Sequence, residues 1–365
     1  MELARAAAAA TEGQLARAQK QVSDLLSADP KDLDALVLRG EIELRAHQAA
    51  SAVAAWKALG QREGSARAAY GLARAAFAAG DEKTAEAEAG KAIEKNPEHV
   101  GARLLLARIA AKKTGRENVA LARLAEVAAK AELASPEERV NAHALLGDIH
   151  LGRSRISRAE EAYTNALKIN PKAAHALIGL GEALYRAGRY SEAQARFEAG
   201  TQAEPDDLLA KVGVAKSKLM LERVEDALGS LKKLRESHPN SLLVAYWLGR
   251  AQDASGDRAQ AEKTYRAAID KTKDDPMLVD AYVALAQLQN QQGETDVAHK
   301  TLTTAQQRLP DSPRVYGALG DWSLSQGRYA DAQREFQKAL DLDGEDLGAR
   351  FRLGTAYRRD GKLEE

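Results

Sequence analysis

Three histidines come near enough in the chain to raise the question of a metal: His143, His150 and His175. His143 and His150 stand seven apart on one face of a predicted helix, and His175 follows in the next segment. Imidazoles at such spacings hold zinc when a third or fourth ligand converges with them. Here they fall at positions that elsewhere carry packing residues such as Leu177 and Leu184. Packing is therefore the expectation, and no metal is assigned. Carboxylate pairs such as Glu160–Glu161 and Asp206–Asp207 fall where helices face water or begin. No glycine-rich phosphate loop, no His-Glu-x-x-His motif and no Gly-x-Ser-x-Gly elbow occurs. The chain has no cysteine, which excludes disulfides and thiol chemistry but leaves the compartment open. No catalytic residue and no cofactor are expected.

The elements that must position any site are marked by proline. Pro171, Pro205 and Pro239 are spaced by 34 residues, Pro276 follows after 37 and Pro310 after 34 more. Pro30, Pro97 and Pro136 extend the series, and Pro313 is an extra. Proline inside a helix loses a backbone donor and clashes with the preceding turn, so a recurring proline marks a recurring break between helices. A period of this length means stacked units rather than one globular core. Each unit also repeats inside. One position is always small: Ala6, Gly40, Ala73, Ala107, Gly147, Gly181, Ala215, Gly249, Ala286, Gly320 and Gly354. A second is always alanine: Ala18, Ala52, Ala85, Ala120, Ala159, Ala193, Ala227, Ala261, Ala298 and Ala332. Small residues there let two helix backbones approach. Tyr163, Phe197, Tyr265 and Phe336 stand four residues after the constant alanine and are expected to fill the space between second helices. Gly188-Arg189-Tyr190 matches Gly327-Arg328-Tyr329, and Leu180-Gly181 matches Leu319-Gly320.

This pattern resembles the tetratricopeptide repeat family over the whole chain. The resemblance implies an all-α, right-handed superhelical solenoid of about ten helix–turn–helix repeats that binds other proteins. The units run 1–32, 33–65, 66–99, 100–139, 140–173, 174–207, 208–241, 242–278, 279–312 and 313–346, with half a unit at 347–365, in one array over 1–365. Extra residues near Thr114 to Asn118, Glu132 to Glu138 and Asp274 to Met277 are expected in loops. The half unit stops at the turn, which suggests a fragment of a longer protein.

Charge narrows the partner. Lys plus Arg and Asp plus Glu both number 53, so no global field draws the chain to nucleic acid or to an anionic membrane. No stretch approaches 18 apolar residues, so no direct membrane insertion is expected. The opening residues do not read as a secretory signal, because Glu2 and Arg5 interrupt the approach to a short alanine run. A cytoplasmic place is expected, or a periplasmic one if an upstream signal has been removed. The oligomeric state is not legible.

In the family the resemblance names, one stripe of each first helix lines the inner groove. Here that stripe yields Tyr70, Arg74, Phe77, Arg108, Asp148, Ile178, Glu182, Tyr185, Val212, Lys216, Tyr246 and Arg250 as candidate partner-binding residues. The charges of this face come in blocks, basic, then acidic, then basic, then acidic again at Asp253, Asp280 and Asp321, between apolar rows, which would suit a peptide or amphipathic helix of matching charge. The Lys and Asn clamp of family members that grip chaperone tails is missing from the charged row. The expected role is a protein-binding scaffold. Alternatives are an adaptor of a bacterial motility, polarity or envelope-secretion machine, and a regulatory arm of a catalytic domain elsewhere.

Overall fold

The computed structural model describes residues 2–112, 117–129, 134–344 and 346–361. Among them the chain is all α: twenty-one helices in tandem, from Glu2–Thr11 to Leu347–Arg359, and no strand. The described helices form two compact units, residues 1–189 with 199–205, and residues 190–198 with 206–365. No described helix is long and apolar enough to cross a membrane.

Local chemistry sets the helix ends. Asp32, Ser65, Asp207, Ser241 and Asp346 each stand just before a helix, and their side chains accept from the backbone N–H three residues on. That satisfies a donor the helix cannot pair itself. Among the described residues, the tight turn inside a repeat bends through the left-handed region. Gly13, Gly80, Gly188, Gly256, Gly293, Gly327 and Gly361 take positive φ there, at little steric cost because they lack a Cβ. In three repeats the same place is held by His47, Ser154 and Glu222, with φ of 57°, 55° and 60°.

Where a first helix carries glycine at the crossing, one aromatic ring packs on it. In the first unit the Trp56 indole lies between Gly40 and Gly71, and the Tyr163 ring lies between Gly147 and Gly179. A Cβ built on Gly147 would stand 2.5 Å from that ring, far inside the roughly 3.5–4.0 Å at which carbons pack best. In the second unit Phe197 lies on Gly213, Tyr265 on Gly249 and Phe336 on Gly320. These aromatics are core, but they do not fill space between second helices as the sequence suggested. They pack against the glycines of first helices.

Size is balanced across each crossing. Where the small position is glycine its partner sixteen residues on is aromatic: Gly40 with Trp56, Gly147 with Tyr163, Gly249 with Tyr265, Gly320 with Phe336. Where it is alanine, the partner is aliphatic: Ala6 with Val22, Ala73 with Ala89, Ala215 with Leu231, Ala286 with Leu302. Cores are packed like crystals, so one methyl gained on one helix must be lost on the other.

The extra residues do not all go to loops. Pro136 to Glu138 open the long helix Pro136–Gly152, closed at its start by a reciprocal Ser135 and Glu138 capping box. Proline is tolerated there because the first helical N–H has no partner to lose. Glu117 and Asn118 likewise open the helix Glu117–Ala129. Asp274 to Met277 do form a turn. Residues 114–116 and 132–133 lie outside the described residues.

Candidate functional site

The first helices of the first unit bring four of the expected groove residues together. Tyr70, Arg74 and Phe77 project from the helix Ala66–Ala78, and Arg108 from Val100–Lys112. With Leu44, Leu104, Leu105 and Leu145 they line one cleft of about 580 Å³. Arg74 bonds Glu41 of the preceding first helix at 2.7 Å and lies 5.7 Å from the Tyr70 ring centroid. Arg108 is exposed, lies 5.2 Å from the centroid of Phe77, and has no ion pair among the described residues. Such cation–ring contacts are worth about 0.5–1 kcal/mol at exposed sites. Here they hold two guanidinium groups beside two half-buried rings.

His99 caps the helix Val100–Lys112. Its Nδ1 accepts from the Ala102 N–H at 3.3 Å, and its ring stands 4.5 Å from that of Tyr70. Burial pushes the Tyr70 hydroxyl up and the His99 imidazole down from their ordinary pKa values.

Asp148 faces the protein as much as the solvent. Its carboxylate accepts from the buried Tyr163 hydroxyl at 2.7 Å and meets His175 Nε2 at 2.9 Å. The hydrogen bond to Asp148 raises the His175 pKa above its ordinary value. Further along, Glu182 accepts from Arg186 at 2.9 Å, and Ile178 and Tyr185 are half-buried.

The second unit departs from the expectation at two positions. Val212, expected on the groove face, is 2% exposed and belongs to the core with Ala215 and Leu231. Lys216, expected on a surface row, is only 9% exposed, because its aliphatic stem is covered and its ammonium lies over the Phe197 and Trp247 rings. Tyr246 is half-buried and Arg250 exposed. Arg250 donates to the Tyr246 hydroxyl at 3.1 Å and lies over both Tyr246 and Trp247. Trp247 was missed by sequence reasoning. The signal was there: a tryptophan directly beside a groove-stripe tyrosine.

The acidic residues of the charged rows are largely engaged inside the array. Arg314 pairs with Asp280 and Arg352 with Asp321, each joining successive first helices as Arg74 does with Glu41. Burial nonetheless pushes the Asp321 carboxyl up. The histidines divide. His143 and His150 line a separate cleft with Arg158 and Glu161, while His175 turns to Asp148. No cluster of three or more metal-ligating side chains occurs among the described residues.

A tetratricopeptide repeat model matches residues 150–214, and a tetratricopeptide repeat-like domain model matches residues 189–351. The TPR repeat-containing protein PA4667 of Pseudomonas aeruginosa is 27% identical over 161 residues, which are 44% of this chain and 27% of that protein. The protein CTR9 homolog of Arabidopsis thaliana is 25% identical over 238 residues, 62% of this chain and 22% of that protein. The chain thus spans about a quarter of the length of these curated relatives. Among solved structures, yeast Tom70 is 15% identical with a TM-score of 0.57, covering 98% of this chain and 88% of that one. At that identity the likeness is one of fold.

Proposed function

The chain is an array of tetratricopeptide repeats, and from that premise we propose that it is a scaffold whose first unit receives a segment of a partner protein. Proteins of this family generally mediate protein–protein interactions and are generally not catalytic. The observation that carries the reading is the cleft of Tyr70, Arg74, Phe77, Leu104 and Arg108. Half-buried aromatic rings supply contact area at low entropic cost, and arginine supplies direction. Those residue types dominate the energetics of protein interfaces. Ile178, Glu182 and Tyr185 extend the same face in this reading. Asp148 serves it indirectly, by holding His175. Tyr246, Trp247 and Arg250 offer a patch of like chemistry in the second unit, a second contact for the same class of partner.

Affinity capture from the source cell followed by kinetics on the recovered partner tests this. Arg108→Glu is expected to slow association and change its salt dependence, and Phe77→Ala to speed dissociation. Lys232→Glu and Lys233→Glu, on the exposed face of the helix Val224–Ser237, are the controls. Should the controls abolish binding while the cleft variants leave both rates untouched, the partner uses another face and the cleft reading fails.

A further inference from the structure

The cleft of Tyr70 and Arg108 does not end at His175. It continues into a second cleft of about 560 Å³ in the same unit, and Asn141, Ala144 and His175 line both. The charges of the two halves are opposite. The first half holds Arg74, already matched by Glu41, and the unpaired Arg108. The second holds Glu137 and Glu204, both exposed and without an ion pair among the described residues. At the join stands Asn141, exposed, its amide without a described hydrogen-bond partner. Both halves have apolar walls, but the large side chains stand in the first, where Leu44, Leu104 and Leu105 line the cleft with the two aromatic rings, whereas Val140 and small alanines line the second.

We propose that the occupant is one extended peptide segment of bipolar charge, an inference that rests on the cleft reading above. Its acidic residue lies against Arg108. Its apolar side chain sits among Tyr70, Phe77 and Leu104. Its backbone amide meets Asn141, whose side chain both donates and accepts as a peptide group requires. Its basic residue lies against Glu137 and Glu204. Charge complementarity selects this occupant. A uniformly acidic segment, or a nucleic-acid strand, would set like charges against Glu137 and Glu204. A uniformly basic one would set them against Arg108, and like-charge juxtaposition rejects a partner as strongly as attraction selects one.

Three short fluorescein-labelled peptides test the polarity on the full chain. All carry the same central benzoylphenylalanine as apolar anchor, with acidic–basic, acidic–acidic or basic–basic flanks. Wild type is expected to bind the bipolar peptide about tenfold tighter than either uniform one. Arg108→Glu should shift the preference to the doubly basic peptide, and Glu137→Lys with Glu204→Lys to the doubly acidic one. All three positions are exposed, so the fold is not at stake. The same ranking in all three proteins, or no binding of the bipolar peptide, overturns the proposal. Photo-crosslinking separates the two readings. Adducts on the helices Ala66–Ala78 and Val100–Lys112 without a charge ranking keep the cleft and remove the polarity, whereas adducts elsewhere remove both.

Discussion

Protonation acts in opposite directions on neighbouring histidines of the first unit. Burial holds His99, His143 and His150 below the ordinary imidazole pKa, with nearby arginines adding to the effect at His150. For these groups the unfolded chain takes the proton first, so stability falls as pH drops below about 6.5. His175 is held above its ordinary value by Asp148. Its contribution is therefore complete in acid and lost as pH rises through its folded pKa. Being well exposed, it is worth less than about 1 kcal/mol. Urea midpoints between pH 5 and pH 8 should fall toward acid in wild type. His150→Gln should flatten that fall and His175→Gln should steepen it; slopes moving the same way would contradict the assignment. A second residue-scale prediction concerns the two arginines. Arg74→Glu faces Glu41 and should cost about 0.5–1 kcal/mol in a denaturant melt, whereas Arg108→Glu should stay within about 0.5 kcal/mol of wild type. The sequence made Tyr70, Arg74, Phe77 and Arg108 legible because a stripe at fixed repeat spacing must share a face. It could not say which charges are engaged internally, since the Arg74–Glu41 and Arg314–Asp280 pairs depend on side chains from two successive repeats meeting. Nor could it distinguish Val212 from Tyr246 on one stripe. A short valine sinks into the crossing, while a tyrosine is too long to do so.

At the level of the helix pair, two devices decide fit. The first is the exchange of bulk across the crossing. Gly320→Ala would put a Cβ 2.6 Å from the Phe336 ring, and overpacking of this kind costs about 1–3 kcal/mol. Phe336→Leu alone should also destabilise, because Phe336 is fully buried and the smaller side chain leaves space against the glycine. Together they recreate the alanine–leucine pairing of Ala215 with Leu231 and Ala286 with Leu302. The double variant should therefore be more stable than the two single losses predict, with a favourable coupling of about 1 kcal/mol in a double-mutant cycle. Strict additivity would show that the pairing is coincidental. The second device is the left-handed turn. Glu222 occupies it with φ of 60° where other repeats use glycine, at a cost of about 1–2 kcal/mol for an L residue. Glu222→Gly should raise the unfolding free energy read from urea melts by about 0.5–1 kcal/mol, after the added backbone freedom of glycine in the unfolded chain is discounted. Helix breaks, small positions and the constant alanine were all legible from the sequence, because each reflects a constraint on one backbone. The place of the aromatics was not. Tyr163 follows Ala159 by four residues, which fixes its face on the second helix but not the glycine of the next repeat that it covers.

For the whole molecule, the consequence of repetition is that stability is local. Each ring is buried at its own crossing, Trp56 in the first unit and Phe336 in the second, packed on the glycines of adjoining first helices. In an array, stability is approximately a sum of repeat terms and nearest-neighbour interfaces, so damage spreads only as far as those interfaces carry it. A single globular core behaves differently, because removing one large buried ring lowers the protection of every amide that exchanges through global unfolding. Trp56→Ala should cost about 3–5 kcal/mol locally and sharply raise amide exchange in the helices from Leu33–Arg45 to Ala66–Ala78. Protection in the helices from Leu278–Gln291 to Tyr329–Leu342 should stay close to wild type. Phe336→Ala should give the mirror image. Hydrogen exchange read by mass spectrometry resolves the two regions in one experiment. Uniform loss of protection along the chain in either variant would mean that the repeats unfold as one body. The same logic bears on binding. A peptide that seats against Tyr70, Phe77 and Arg108 should protect amides in the helices Ala66–Ala78 and Val100–Lys112, and the Trp56→Ala variant should weaken its binding far more than Phe336→Ala does. Equal weakening by both would place the peptide, or the stability it depends on, outside the first unit.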